Sequence, residues 1–181
     1  MCWLCDHPHA TRRDYLAYFR GLIDRHGWAV QGVQRDKIHP PWAYTVGLTL
    51  AGLPELVVTG MPLTAATGML NDVAHHVLHA SALRPGEQIP LIDGPLIDGP
   101  LIEIVEMSHP ELRLATAVEF YGTEIRAVQL VHADDRGHWP WDVGYRGVRC
   151  PRHDQGGQEY QWPTRTWVRS FMRRLPRKSR S

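Results

Sequence analysis

Three cysteines and eleven histidines supply the metal-binding chemistry of this 181-residue chain. Cys2-x-x-Cys5 lies near one end and Cys150-x-x-His153 near the other. Two thiolates at short spacing can grip one zinc ion, and a thiolate and an imidazole can complete its tetrahedron. Together they make the Cys₃His set of a structural zinc site. His7 and His9 are alternatives to His153. The weakness is the 144-residue gap between Cys5 and Cys150, because zinc modules usually draw their ligands from nearby in sequence. The plain alternative is three free thiols, with the segment packed through Trp3 and Leu4. A redox CxxC of the thioredoxin kind needs a strand before it, and none is expected ahead of residue 2.

A second cluster lies between Pro62 and Ala82. Asp72, His75, His76 and His79 fall opposite an apolar stripe at helical spacing. His75/His79 and Asp72/His76 are i, i+4 pairs, the spacing by which a helix clamps a metal. A metal-dependent hydrolase of the HExxH type would need Glu at position 76, where this chain has histidine. A solvated polar face explains the same pattern. In a third stretch, Trp42-Ala-Tyr-Thr-Val-Gly-Leu48 follows His39-Pro-Pro. A glycine inside a strand pattern marks close approach by a backbone or a ligand. Tyr44, Thr45 and Glu55 are therefore pocket candidates, with plain sheet core as the alternative.

The last candidate is electrostatic. Arg165, Arg169, Arg173, Arg174, Arg177, Lys178 and Arg180 lie in residues 160–181, which hold no acidic residue. Trp167, Val168, Phe171, Met172 and Leu175 make an apolar stripe beside Arg165, Arg169 and Arg173. Thr164 can cap this helix and Pro176 ends it. Such a helix can meet nucleic acid, an anionic membrane surface or a protein partner such as a neighbouring gene product. It can equally dock its stripe on its own domain and leave its arginines solvated. No GxGxxG, GxxxxGK[ST] or GxSxG is present, so nucleotide-dependent and serine-hydrolase mechanisms lack their local marks.

These residues need elements to place them. Thr11 with Asp14 reads as a capping box. Tyr15, Leu16, Phe19, Leu22 and Ile23 then form one helical face, stopped by Gly27. Short strands are expected over 28–34, 42–48 and 55–59, antiparallel because few residues join them. Trp42, Tyr44, Val46 and Leu48 are expected on one face. Pro62 opens a second helix to about Ala82. A Pro- and Gly-rich loop over 84–100 contains Pro90-Leu-Ile-Asp-Gly94 repeated as Pro95–Gly99 and begun again at Pro100. The unit is too short for a solenoid, so it reads as a local duplication that lengthens a loop. Strands follow at 101–107 and 124–132, and Asp134–Gly144 is a loop. Residues 110–121 carry strand alternation and helix punctuation at once, and both readings stay open.

The whole is expected to be α+β. Residues 1–159 would form one domain, with two main helices on a mostly antiparallel sheet of four or five strands. A basic C-terminal helix occupies 160–181. The net charge of +1 conceals a division. Residues 1–159 hold 13 basic and 19 acidic residues, a net of −6, and the tail holds the compensating +7. An apolar content of 43% suits a globular core, and no run approaches the roughly 20 residues of a membrane span. Few cysteines, an odd number of them and no visible export signal point to a reducing cytoplasm.

Cys2-Trp-Leu-Cys-Asp-His-Pro8, Asp14-Tyr-Leu16, His26-Gly-Trp-Ala-Val-Gln31, Ala43-Tyr-Thr-Val-Gly-Leu48 and Gly52-Leu-Pro-Glu-Leu56 go together as a set. With Ala127-Val-Gln-Leu-Val131, Asp135-Arg-Gly137 and Trp139-Pro-Trp141, they resemble number 4262 of the bacterial domain-of-unknown-function families. The resemblance runs over roughly residues 1–144. It implies a small bacterial protein and transfers no catalytic residue. Three functions are therefore expected in order. The first is a non-enzymatic binding or regulatory protein, stabilised by zinc if the cysteine set closes. The second is a toxin component of a toxin–antitoxin pair acting on nucleic acid or translation. The third is a metal-dependent hydrolase. Oligomeric state is left open.

Overall fold

The computed structural model describes residues 7–35, 37, 40–79, 83–90, 101–134, 136–140 and 142–146. Helix α1 spans Arg12–His26. Its capping box is complete: Thr11 Oγ1 accepts from the Asp14 amide, and Asp14 Oδ2 accepts from the Thr11 amide at 2.9 Å. Gly27 ends it in the left-handed region, φ 85°. Strands β1 (Ala29–Val33), β2 (Trp42–Val46) and β3 (Glu55–Thr59) form the expected antiparallel meander. Helix α2 runs Leu63–His79. The expected continuation over 80–82 lies outside the described residues.

The rest of the chain widens the sheet. Strand β4 (Gln88–Pro90) pairs with β5 (Leu101–Glu106), and β5 pairs with β6 (Ala127–His132). Among the described residues, six strands therefore stand where four or five were expected, in the order β1-β2-β3-β6-β5-β4. The added strand is β4, three residues inside the stretch read as loop. Too short for a visible alternation, it is made a strand by its partner across the hairpin. The central β3–β6 pairing is parallel and the other pairings are antiparallel. Residues 110–121 resolve as helix punctuation implied: a 3₁₀ turn at Pro110–Leu112, then α3 at Ala115–Tyr121.

Alternation along the strands splits the core into two layers. Ala43, Leu56, Val58, Ile102, Ile104, Val128 and Leu130 pack with Ala66, Met69, Leu70, Val73, Ala74 and Val77 of α2. Tyr44, Val46, Val57 and Ala127 pack with Tyr15, Phe19 and Ile23 of α1 and Ala117 of α3. Leu48 departs from the single face expected for it. It joins the α2 layer with the first set, because the pleat ends at Val46 and Gly47 turns the chain at φ 135°.

Candidate functional site

The glycine in the Trp42–Leu48 stretch does mark a close approach, and the neighbour is backbone. A Cβ on Gly47 would lie 2.7 Å from the Gly27 carbonyl oxygen and 2.8 Å from Trp28 Cα. The end of α1 is thus pressed against the end of β2. A short 3₁₀ turn, Leu48–Ala51, follows and closes on Gly52.

Glu55 organises this corner. It is fully buried at the start of β3. Its Oε2 accepts from Thr45 Oγ1 at 2.6 Å. Its Oε1 accepts from the Gly47 and Thr49 amides, each at 3.0 Å, and from Thr49 Oγ1 at 2.7 Å. Thr45 Oγ1 in turn accepts from the Leu56 amide at 2.9 Å. A buried carboxylate is tolerated when donors surround it in this way. Arg126 clamps the far side, with its guanidinium donating to the Gly52 carbonyl at 2.7 Å. Of the three pocket candidates, Thr45 and Glu55 are joined directly. Tyr44 is buried nearby, where its hydroxyl accepts from the Thr116 amide at 3.2 Å and caps α3. Burial pushes the Tyr44 hydroxyl pKa up. Burial does the same to Tyr121, to about 12, with Glu55 adding to it.

A second buried carboxylate, Asp134, was missed by sequence reasoning. Its Oδ1 accepts from the Arg136 and His138 amides at 3.0 and 2.8 Å, and its Oδ2 from the Arg146 amide at 2.7 Å. Burial opposes its ionisation, but these backbone donors and the nearby His138 ring outweigh that and hold its pKa at about 2. The available signal was an aspartate opening a loop rich in Gly and Pro, the position where such side chains bind their own following amides. Both buried carboxylates spend their acceptors on loop geometry.

The sequence-derived metal candidates fare differently. Asp72, His75, His76 and His79 all lie on the exposed face of α2. The His75 and His79 rings come together with centroids 4.6 Å apart and planes tilted by 56°. Among the described residues, no group of three or more His, Cys, Asp or Glu is placed to share one ion. Cys2, Cys5, Cys150 and His153 lie outside the described residues, as do Arg165, Arg169, Arg173, Arg174, Arg177 and Lys178. Also among the described residues, no helix is long and apolar enough to cross a membrane.

No curated protein and no solved structure matches the chain. A family described as "Domain of unknown function (DUF4262)" matches residues 22–146. That range covers all six strands, α2 and α3, the Glu55 corner and the Asp134 loop, and it begins after the Cys2–Pro8 and Asp14–Leu16 pieces of the resemblance. The chain therefore belongs to the DUF4262 family.

Proposed function

We propose that this chain is a non-enzymatic binding or regulatory protein of the bacterial cytoplasm. In this reading the α+β body is a scaffold, and the basic residues from Arg165 to Lys178 make the contact with an anionic partner. The observation that carries it is the use made of the buried carboxylates. Glu55 accepts four hydrogen bonds from β2 and the turn after it, and Asp134 accepts three from amides that follow it, which is how a protein stiffens loops. A general acid or base instead needs a lone pair or proton directed at substrate. The charge division of −6 against +7 supplies the second half of the reading. A cationic face draws a polyanion by counterion release, whereas the acidic body repels it.

The test compares residues 1–181 with residues 1–159 in fluorescence anisotropy against labelled single-stranded RNA, duplex DNA and a polyglutamate peptide. The full chain should bind at least one of them, with affinity falling steeply as salt rises, and the shorter chain should bind none. Equal binding by both, or none by either, overturns the reading. Zinc analysis of the purified full chain tests the stabilising metal separately. About one equivalent, lost in Cys5→Ser, supports the Cys2, Cys5, Cys150, His153 set, and absence of zinc removes it.

A further inference from the structure

We propose that His75 and His79 form a two-point clamp for a divalent transition ion that prefers right-angled ligand pairs, of the copper(II) or nickel(II) class. An imidazole nitrogen sits about 2.0–2.1 Å from such an ion, which puts the ring centroid roughly 3.2 Å from it. Two rings at a right angle about the ion then stand about 4.5 Å apart, and two at a tetrahedral angle about 5.2 Å apart. The observed centroid separation is 4.6 Å, and rotation about the exposed side chains can turn one nitrogen of each ring to a common point. Both rings are on the exposed face of α2, so water can fill the remaining positions of a tetragonal or octahedral ion.

The neighbouring charge favours a cation as well. Asp72 and His76 share the same exposed stripe, so a carboxylate lies within two turns of the ion and adds to the attraction. Binding links one turn of helix to the next and stabilises the folded chain by mass action. The clamp does not depend on the proposed role of the basic tail, nor on the cysteine set.

Equilibrium dialysis of the full chain against Ni²⁺, above the ordinary histidine pKa of about 6.5, tests the clamp. The result expected is about one equivalent of Ni²⁺ that depends on both rings, with a matching rise in Tm. His75→Asn or His79→Asn should weaken binding by roughly tenfold or more, through loss of the intramolecular second contact. Both changes are at exposed positions, so Tm without metal should be unaltered. Cys5→Ser and His76→Asn should bind as the parent does. No uptake by the parent chain overturns the proposal, as does undiminished uptake by His79→Asn. Uptake lost in Cys5→Ser and kept in His75→Asn does so too.

Discussion

Replacing Glu55 by alanine removes one acceptor group from four donors at once. Two of the donors are hydroxyls, on Thr45 and Thr49, which can turn toward other partners. The other two are the Gly47 and Thr49 backbone amides, held in place by the 3₁₀ turn. Leaving the buried Gly47 amide unpaired costs about 1–3 kcal/mol, the half-buried Thr49 amide costs less because water can reach it, and the vacated volume adds about 2 kcal/mol or more. A domain of this size has about 5–15 kcal/mol in total, so Glu55→Ala should come near to unfolding it. Glu55→Gln keeps the shape. Its amide oxygen can hold the three donors that now meet Oε1. Its NH₂ then faces Thr45 Oγ1, which already accepts from the Leu56 amide and must turn its own proton elsewhere. That exchange should cost about 1–2 kcal/mol. Urea denaturation followed by circular dichroism separates the three proteins. The Ala midpoint should fall by about 1–3 M at an unchanged slope, and the Gln midpoint by less than about 1 M. If both variants stay within about 0.5 kcal/mol of the parent, or if Gln is as damaging as Ala, Glu55 is not what holds the corner.

Gly47→Ala should destabilise far more than Gly52→Ala. Both residues have positive φ, but only Gly47 meets backbone atoms within 3 Å, while Gly52 has open space. About 1–2 kcal/mol is expected at Gly52 and distinctly more at Gly47, read from Tm; equal losses would refute the close approach. Deleting Pro95–Gly99 should leave the fold intact, since it halves the ten residues that join the registered pair Pro90 and Leu101. Halving a loop is worth about 0.6 kcal/mol of closure entropy, so a loss beyond about 1.5 kcal/mol would mean that the repeat does more than lengthen a loop. Asp134→Asn should be less stable than the parent at neutral pH. The folded pKa of about 2 lies below the reference 3.8, so the parent's advantage is full above the higher value and fades as pH falls toward the lower one. Acid titrations of the two proteins that stay parallel through that window would remove this role.

Local pattern made much of the fold legible. Thr11, Asp14 and Gly27 frame α1 because caps are satisfied by residues within a turn. The apolar stripe opposite Asp72 and the three histidines is the buried face of α2, made by Ala66, Met69, Leu70, Val73, Ala74 and Val77. Strand β4 was illegible because three residues carry no period of their own. The start of α3 was ambiguous for a related reason. Its cap is the Tyr44 hydroxyl, 72 residues away, while Leu114 at the capping position offers no side-chain bond. The site was legible in type and not in arrangement. The i, i+4 spacing of His75 and His79 already put their rings on one side of a helix, which is local geometry. Glu55 was a pocket candidate, and the fold made it the fixed point of a corner.

From residues alone follow the α+β class, the helix faces, the antiparallel meander and the opposed charges of body and tail. Each depends on periodicity, capping or composition, which act over a few residues or none. Tertiary structure decided the sheet order with its parallel β3–β6 centre and the side of the sheet on which Leu48 lies. It also decided that the buried carboxylates Glu55 and Asp134 serve loops. The sheet order turns on which distant strands meet, and no short window of sequence contains both partners. The donors of Glu55 and Asp134 lie nearby in sequence, but only the packed fold takes these oxygens out of water.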